Sequence, residues 1–364
     1  MAVCGWNEKR GAIMAKAVRL SDIGERLDVS AVTVSKALSG QKGVSEEMRQ
    51  KIIQVADELG YLKKAKEEDR RRSYNIGVVV AERYLQEGES FYWKLYQELS
   101  QRAIARDCLM ILEVVNHDAE IRGEFPKILL EKKVDGVIIV GAFKSAYSKL
   151  LAENIQIPFL YLDTPGTTDS CDSVVSNNMM GGYRMTNYLF DMGHSKIGFV
   201  GTRLATTSID ERFLGYVRSL MEHGMKVRED WIIDDRDREY GRVDIKEKFI
   251  LPEEMPTAFF CNCDISAYLL VRKLGEAGYK VPSDISVAGF DNYVNRIDSY
   301  VLETLEDAGL TTYEINMKEM AKRTIHIMLH KLDNANYTTG MFVLPGRLIE
   351  RGSVKRKGKG IQFI

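Results

Sequence analysis

From Tyr74 to Gly289 the chain repeats one pattern: a short uninterrupted apolar run, then a longer stretch with apolar residues at helical spacing. Runs without polar alternation are strands buried on both faces, which a parallel sheet covered by helices provides. Ile76-Gly77-Val78-Val79-Val80, Cys108 to Val115, Val134 to Val140 and Phe159-Leu160-Tyr161-Leu162 read as four such strands, with a helix from about Phe91 to Ala105 after the first. After a loop the alternation restarts. Lys196 to Val200 is a strand, Asp210 to His223 a helix, Ala258 to Cys261 a strand, Ser266 to Ala277 a helix and Ile285 to Gly289 a strand. The pattern predicts two consecutive α/β units of similar size. Ligands in such folds sit at the carboxyl ends of the strands, here in the crevice between the units.

The segment before Tyr74 has a different period. Ser21 is read as the cap of a first short helix, with Ile23 and Leu27 inward. Asp28-Val29-Ser30 is a tight break, and Ser30 caps a second helix from Ala31 to Leu38, which Ser39-Gly40 ends. Ser45 caps a third, with Met48, Ile52, Val55, Ala56 and Leu59 as its stripe and Gly60 as its stop. Two helices joined by a three-residue turn, with a third across them, predict a helix-turn-helix. Gly24 is small where the first two helices cross. Ala31, Val32 and Lys36 are left pointing outward near the end of the second helix that enters a major groove in this motif. Ser30, Thr33 and Ser35 carry short hydroxyls suited to phosphates. A plain helical hairpin capping a larger domain has the same periodicity.

Charge supports the anion-binding choice. Lys9 to Arg72 holds 15 Lys/Arg against 10 Asp/Glu, whereas the whole chain has a net charge of −1. A basic head on an acidic body fits a small nucleic-acid module attached to something else. No window holds 18 consecutive apolar residues and the N-terminus has no apolar signal core, so neither a membrane span nor a secretory leader is expected. The five cysteines are odd in number and scattered, which favours a reducing cytoplasm over a disulfide framework.

At this point the chain resembles the LacI/GalR family of bacterial transcription regulators, from Val18 to about Ser353. The carrying motifs are LSDIGERLDVSAVTVSKALSG, GVSEEMRQKIIQVADELGY, VDGVIIVG, MGHSKIGFVG, ERFLGY, VPSDISVAGFDN, LTTYEINMKEMAK and LPGRLIERGSV, in the family's order and spacing. The resemblance implies an N-terminal all-α helix-turn-helix domain on an α/β two-lobed periplasmic-binding-protein-like core. It divides the chain into a tail (1–17), the helix-turn-helix (18–62), a hinge or linker (63–73), the effector-binding and dimerisation core (74–353) and a basic tail (354–364). The first lobe would hold about 74–163 and 292–325, and the second about 164–291 and 326–353.

The implied function is a sequence-specific regulator, a repressor rather than an activator, of a sugar-utilisation operon. A homodimer would bind double-stranded operator DNA, and a small sugar between the lobes would control it. The implied DNA-binding residues are Ser21, Ser30, Ala31, Val32, Thr33, Ser35, Lys36 and Arg70. Small apolar groups at Ala31 and Val32 suit thymine methyls, and Lys36 can reach guanine O6/N7 or a phosphate. For the effector the resemblance implies Arg212, whose guanidinium fork suits vicinal oxygens, and Asp291, an acceptor for hydroxyl protons. It adds Ser90, Phe91 and Tyr92, where an aromatic can stack on a pyranose, Asp163 at the first lobe crossover, Ser176, Thr206 and Ser208 on cleft loops, and Cys263.

Bland readings stand beside these. Arg212 could be a surface helix arginine and Phe91 simple core. His194 reads as a structural loop residue. His326 and His330 have i, i+4 spacing but no carboxylate or cysteine near them in sequence, and Cys261-x-Cys263 reads as a strand end, so no metal or other cofactor is expected. The chain departs from the family pattern in three respects. Lys63-Lys64 replaces a usual Pro-Asn, and no leucine occurs between Leu62 and Ile76 to wedge into a minor groove; the matching position is about Arg70. Arg70, Arg71 and Arg72 could contact phosphates or a narrow minor groove instead. Asp28 replaces a turn glycine, and Cys263 stands where many relatives have an effector-binding asparagine. Two other classes are weighed: a sugar-binding sensor with a degenerate DNA-binding head, and an α/β enzyme. The second lacks a Gly-rich phosphate loop, a nucleophile elbow or a paired-carboxylate motif.

Overall fold

The computed structural model describes residues 18–39, 41, 43–61, 73–85, 90–166, 171–243, 249–293, 309–334 and 338–357. Most of the linker, with Arg70, lies outside these residues, as do the N-terminal tail and the end of the basic tail. The chain divides into two compact units, Met1–Ser73 and Tyr74–Ile364.

The first unit has three helices, α1 (Leu20–Leu27), α2 (Ala31–Leu38) and α3 (Glu46–Glu58). α1 starts one turn position before Ser21. Its cap is Arg19, whose N–H donates to the Asp22 carboxylate at 2.7 Å. An ionised acceptor at N3 outcompetes a hydroxyl for an N-terminal amide, so Ser21 is an exposed helical residue and not a cap. Asp28 takes the left-handed conformation (φ 53°) that the turn requires, as a short polar side chain can. A Cβ on Gly24 would lie 2.5 Å from the Val29 carbonyl oxygen; the glycine admits the turn backbone. Ser30 Oγ accepts the Thr33 N–H at 3.1 Å and Ser45 Oγ the Met48 N–H at 3.4 Å. Gly60 stops α3 with φ 74°. Ile23, Val34, Ala37, Ile52 and Ala56 form the core of this unit. Arg49 donates to Ala37 O at 2.5 Å and to Gln41 O at 2.8 Å, satisfying carbonyls that the end of α2 leaves open.

The second unit runs β1 (Asn75–Ala81), α4 (Phe91–Ile104), β2 (Leu109–Val115), α5 (His117–Arg122), α6 (Lys127–Leu130), β3 (Gly136–Val140), α7 (Ser145–Asn154), β4 (Phe159–Leu162), β5 (Asp172–Ser176), α8 (Asn178–Asp191), β6 (Ile197–Val200), α9 (Thr207–Glu222), β7 (Ile232–Ile233), β8 (Ala258–Cys261), α10 (Asp264–Glu276), β9 (Ser286–Ala288), β10 (Thr312–Glu314), α11 (Met317–Asp333), β11 (Met341–Leu344) and β12 (Arg347–Ile349). The first lobe is a six-stranded sheet in the order β11-β5-β4-β3-β1-β2, and every pairing in it is parallel. In the second lobe β7-β6-β8-β9 are parallel as well. The central strands β1 and β3 are buried almost throughout, as their unbroken apolar runs require.

The lobe boundaries implied by the resemblance are corrected. The first lobe does not end at Asp163, because β5 pairs with β4 (Leu160 with Asp172, Leu162 with Val174). The chain crosses over between Ser176 and Asn178. Thr311 bridges to Ala288 in the second lobe, and α11 then packs on α4, β4 and β5, so the second crossover lies between β10 and α11 rather than at Asp291. β11 pairs with β5 and β12 with β10, so the third lies between Leu344 and Arg347 rather than at residue 325. The stretch read as a loop before β6 contains β5 and the fourteen-residue α8. α9 begins at Thr207, not Asp210, because Thr206 Oγ1 accepts the Ile209 N–H at 3.3 Å.

Candidate functional site

On the first unit, Ala31, Val32, Ser35 and Lys36 are exposed, and Val32 is 64% accessible. A lone exposed valine needs no explanation, but here it sits beside Ala31 on the first turn of a capped helix whose opposite face, Val34 and Ala37, is buried. Lys36 makes no ion pair among the described residues. Thr33 Oγ1 lies 2.9 Å from Ser30 Oγ, so these two hydroxyls partly satisfy one another. Arg70 lies outside the described residues.

In the core, the strand ends bring Asp163, Arg212, Cys263 and Asp291 into one buried region. Arg212 projects from α9. Its Nη2 lies 3.0 Å from Asp291 Oδ1, its Nε donates to Asn178 Oδ1 at 3.0 Å and its Nη1 to Asn262 O at 2.5 Å. Its guanidinium carbon stands 3.9 Å from the centre of the Phe290 ring, a cation–π contact. The surface reading of Arg212 is therefore wrong: the residue is 4% exposed. Asp163 follows β4 and accepts the Tyr92 hydroxyl at 2.9 Å. Both aspartates occupy left-handed backbone, with φ 60° at Asp163 and 95° at Asp291. Such conformations cost free energy in non-glycine residues and gather at ligand sites.

The remaining calls divide. Tyr92 stacks obliquely on Tyr84 (centroids 4.4 Å apart), and Phe91 meets Tyr92 and Tyr293 edge-on at 5.1 and 6.1 Å. Phe91 is buried in the core cluster. Ser90 is spent as the cap of α4, accepting the Trp93 N–H at 3.0 Å, and Ser176 is buried against Met320. Thr206 Oγ1 and Ser208 Oγ are 3.0 Å apart at the start of α9. Cys263 stands at the start of α10, with Sγ 3.2 Å from Ser266 Oγ, and burial raises its thiol to about 11, which leaves it a neutral side chain. His194 is a buried structural residue between Thr257 Oγ1 (2.9 Å) and Lys355 O (3.1 Å).

Several residues of the region were missed in the sequence. Asp235 and Arg236 form a buried pair with two 3.0 Å contacts, and Asp235 also accepts from Asn262 Nδ2 at 2.6 Å and Ser266 Oγ at 2.5 Å. Burial alone would raise the Asp235 pKa, but Arg236 and these donors hold it well below the usual carboxylate range. The alternating run Asp234-Asp235-Arg236-Asp237-Arg238 after the apolar Ile232-Ile233 was the available signal. The loop that follows carries Tyr240, whose ring lies 4.6 Å from that of first-lobe His117, so the lobes touch on this side.

Asp163 has the opposite electrostatics from Asp235. Burial pushes it up to about 7, against the lowering effects of Arg212 and Tyr92, and its Oδ1 is buried without a hydrogen-bond partner. A carboxyl whose folded pKa is raised favours folding while it is protonated, and that contribution is lost as pH rises from about 4 through 7. Asp163→Asn, which cannot ionise and can still accept from Tyr92, is expected to raise the melting temperature of the core strongly at pH 8 and much less at pH 5, near the start of that window. Melting curves at the two pH values check this; an equal shift at both would mean that ionisation of Asp163 does not matter.

Comparison with known proteins bears on both units. The family described as bacterial regulatory proteins, lacI family, matches residues 19–63, and the periplasmic binding protein-like domain matches residues 186–354. The chain carries a lacI-family regulatory domain followed by a periplasmic binding protein-like domain. Among its relatives, the HTH-type transcriptional repressor PurR of Vibrio campbellii is 26% identical over 93% of the chain and 98% of that protein. The PurR repressor of Pasteurella multocida is 24% identical over 93% and 99%. Solved structures share the fold: a CelR transcriptional regulator in complex with cellobiose (TM-score 0.62, 21% identity, 92% of this chain and 99% of that one) and a lac repressor dimer bound to operator and the anti-inducer ONPF (0.61, 22%, 93% and 100%). A LacI-family regulator from Enterococcus faecium with bound ribose matches the core (0.61, 22%, 78% and 100%). The chain is thus a DNA-binding regulator with a ligand-binding core. No helix among the described residues is long and apolar enough to cross a membrane.

Proposed function

We propose that this LacI-family protein is a transcriptional repressor of a sugar-utilisation operon, a homodimer whose two recognition helices read half-sites of a near-palindromic operator about one helical turn apart. A small carbohydrate binds between the lobes and changes operator affinity. Ala31, Val32 and Lys36 read bases, and Ser30, Thr33 and Ser35 meet phosphates. Arg212, Asp291, Asp163 and Tyr92 hold the sugar; Ser208, Thr206 and Cys263 flank it.

One observation carries the effector site. Two aspartates with left-handed backbone, just beyond β4 and β9, converge with a buried arginine, and Tyr92 donates to one of them from a cluster of rings it forms with Phe91 and Tyr293. Carboxylates and a guanidinium fork beside aromatic rings match the hydroxyls and the apolar face of a sugar. The sugars named for the CelR complex and for the E. faecium regulator support the same class. Control requires that the sugar bind one lobe arrangement better than the other, with a coupling typically of about 1–3 kcal/mol.

The test has two arms. A salt-dependent mobility shift of a selected operator fragment is expected, and its failure would leave the sensor with a degenerate head as the better reading. A thermal-shift screen with cellobiose, D-ribose and other mono- and disaccharides is expected to raise the melting temperature for at least one of them, because ligand binding stabilises the folded state by mass action. No shift with any sugar at millimolar concentration would overturn the carbohydrate assignment.

A further inference from the structure

Asn178 belongs to none of the effector motifs, yet it joins the interlobe site to the chain crossovers. It is the first residue of α8, directly after the crossover from β5, and only 4% of it is exposed. Its Nδ2 donates back to Ser176 O, the last residue of the first-lobe strand, at 3.2 Å and to Glu211 Oε2 at 3.1 Å. Its Oδ1 accepts from Arg212 Nε at 3.0 Å. A second nitrogen of the same guanidinium, Nη2, lies 3.0 Å from Asp291 Oδ1. Asp291 in turn is tied to the second crossover: its N–H donates to Tyr313 O at 2.8 Å and its carbonyl accepts from Ile315 N–H at 3.4 Å. The neighbouring Asn177 N–H donates to Leu344 O at 2.9 Å, at the third. The Arg212 side chain therefore reaches from one crossover to another, with Asn178 as its link to the first.

The helices around it leave little slack. A Cβ on Gly182 of α8 would lie 2.3 Å from the Arg212 carbonyl oxygen, and one on Gly215 of α9 would lie 2.2 Å from Met179 O. Backbones in such contact move together. A guanidinium drawn toward a ligand must then either break its bond to Asn178 or carry Asn178, and with it the Ser176 carbonyl. Breaking leaves buried donors and acceptors unpaired, which costs more than moving the network as a unit.

We infer that Asn178 is a positioning residue that couples ligand contact at Arg212 to movement of the interlobe crossovers. The inference rests on the proposed effector role of Arg212, but its test needs no sugar. Amide hydrogen exchange is measured on the full chain for wild type, Asn178→Ala, Arg212→Met and the double variant. Asn178→Ala is expected to speed exchange of the Asn177, Asp291 and Ile315 amides about tenfold while leaving β1 and β3 protected. The double variant is expected to exchange no faster than Arg212→Met at Asp291 and Ile315, because the two residues lie on one path. Asn178→Asp keeps an acceptor for Arg212 and loses the donor to Ser176 O, so it is expected to open Asn177 and spare Asp291; it also decides the matter if the alanine variant does not fold. Unchanged exchange at Asp291 and Ile315 in Asn178→Ala, additive effects in the double variant, or equal opening of both crossovers in Asn178→Asp would each overturn the coupling. A chain that shows the expected pattern yet shifts with no sugar keeps the coupling and loses only the carbohydrate assignment.

Discussion

Arg212→Ala is expected to abolish the sugar-dependent change in operator affinity and to destabilise the core at the same time. The second effect follows from burial. Arg212 compensates Asp291, which is itself buried, and removing one partner of a buried ion pair costs roughly 3–5 kcal/mol because the other charge stays behind. Burial already raises the Asp291 pKa against the pull of Arg212, so proton uptake recovers part of that cost. For a core of this size the melting temperature falls by roughly 10 °C. A loss of response alone would therefore not separate a ligand contact from a collapsed site. The pair Arg212→Met with Asp291→Asn does, since neither side chain is then charged and replacing a buried pair with groups of similar volume is often neutral. The double variant is expected to melt above Arg212→Ala but below wild type, because Asn178 Oδ1 and Asn262 O still lose their donor, to shift with no sugar, and to bind the operator in a sugar-independent way. Recovery of the sugar response together with stability would show that the pair is structural.

How much of this was legible in the sequence depends on where the information sits. Unbroken apolar runs such as Ile76 to Val80 and Val137 to Val140 announce a doubly covered parallel sheet because nothing else buries both faces of a strand. The caps at Ser30 and Ser45 were readable because one hydroxyl acting on the amide three residues on is a local event. Ser21 misled because the helix starts one residue earlier, where Asp22 accepts the Arg19 N–H. The lobe boundaries were not legible. β5 reads Asp-Ser-Val-Val-Ser, too polar to stand out, and its place in the sheet is fixed by pairing with β4 and β11, far apart in sequence. The same holds for the site. Arg212 and Asp291 could be named from motifs, but Asn178, Asn262 and the Asp235–Arg236 pair owe their roles to crossovers and loop ends that converge only in three dimensions.

Lys36→Ala tests the other end of the molecule, and the expected result is a loss of discrimination rather than of binding. Lys36 is exposed one turn along from Ala31 and Val32, on the helix that Ser30 caps. No ion pair among the described residues holds it, so DNA need not compete with a protein partner for its charge. An amine that donates to guanine O6 and N7 distinguishes that base pair by roughly 1–3 kcal/mol. Removing it is expected to weaken operator binding by that amount per half-site and to relax the preference at one base position, while binding to random-sequence duplex falls only slightly. A phosphate contact behaves differently: affinity drops alike on all sequences and the slope of log K against log salt shrinks by about one. Titrating wild type and variant against operator and random duplex at several salt concentrations separates the two. Ala31 and Val32 supply an internal control, since replacing a contacted thymine with uracil removes the methyl group that Val32 would touch. If uracil substitution anywhere in the half-site leaves affinity unchanged and Lys36→Ala lowers it uniformly, Val32 touches no thymine methyl and Lys36 meets only the sugar-phosphate backbone.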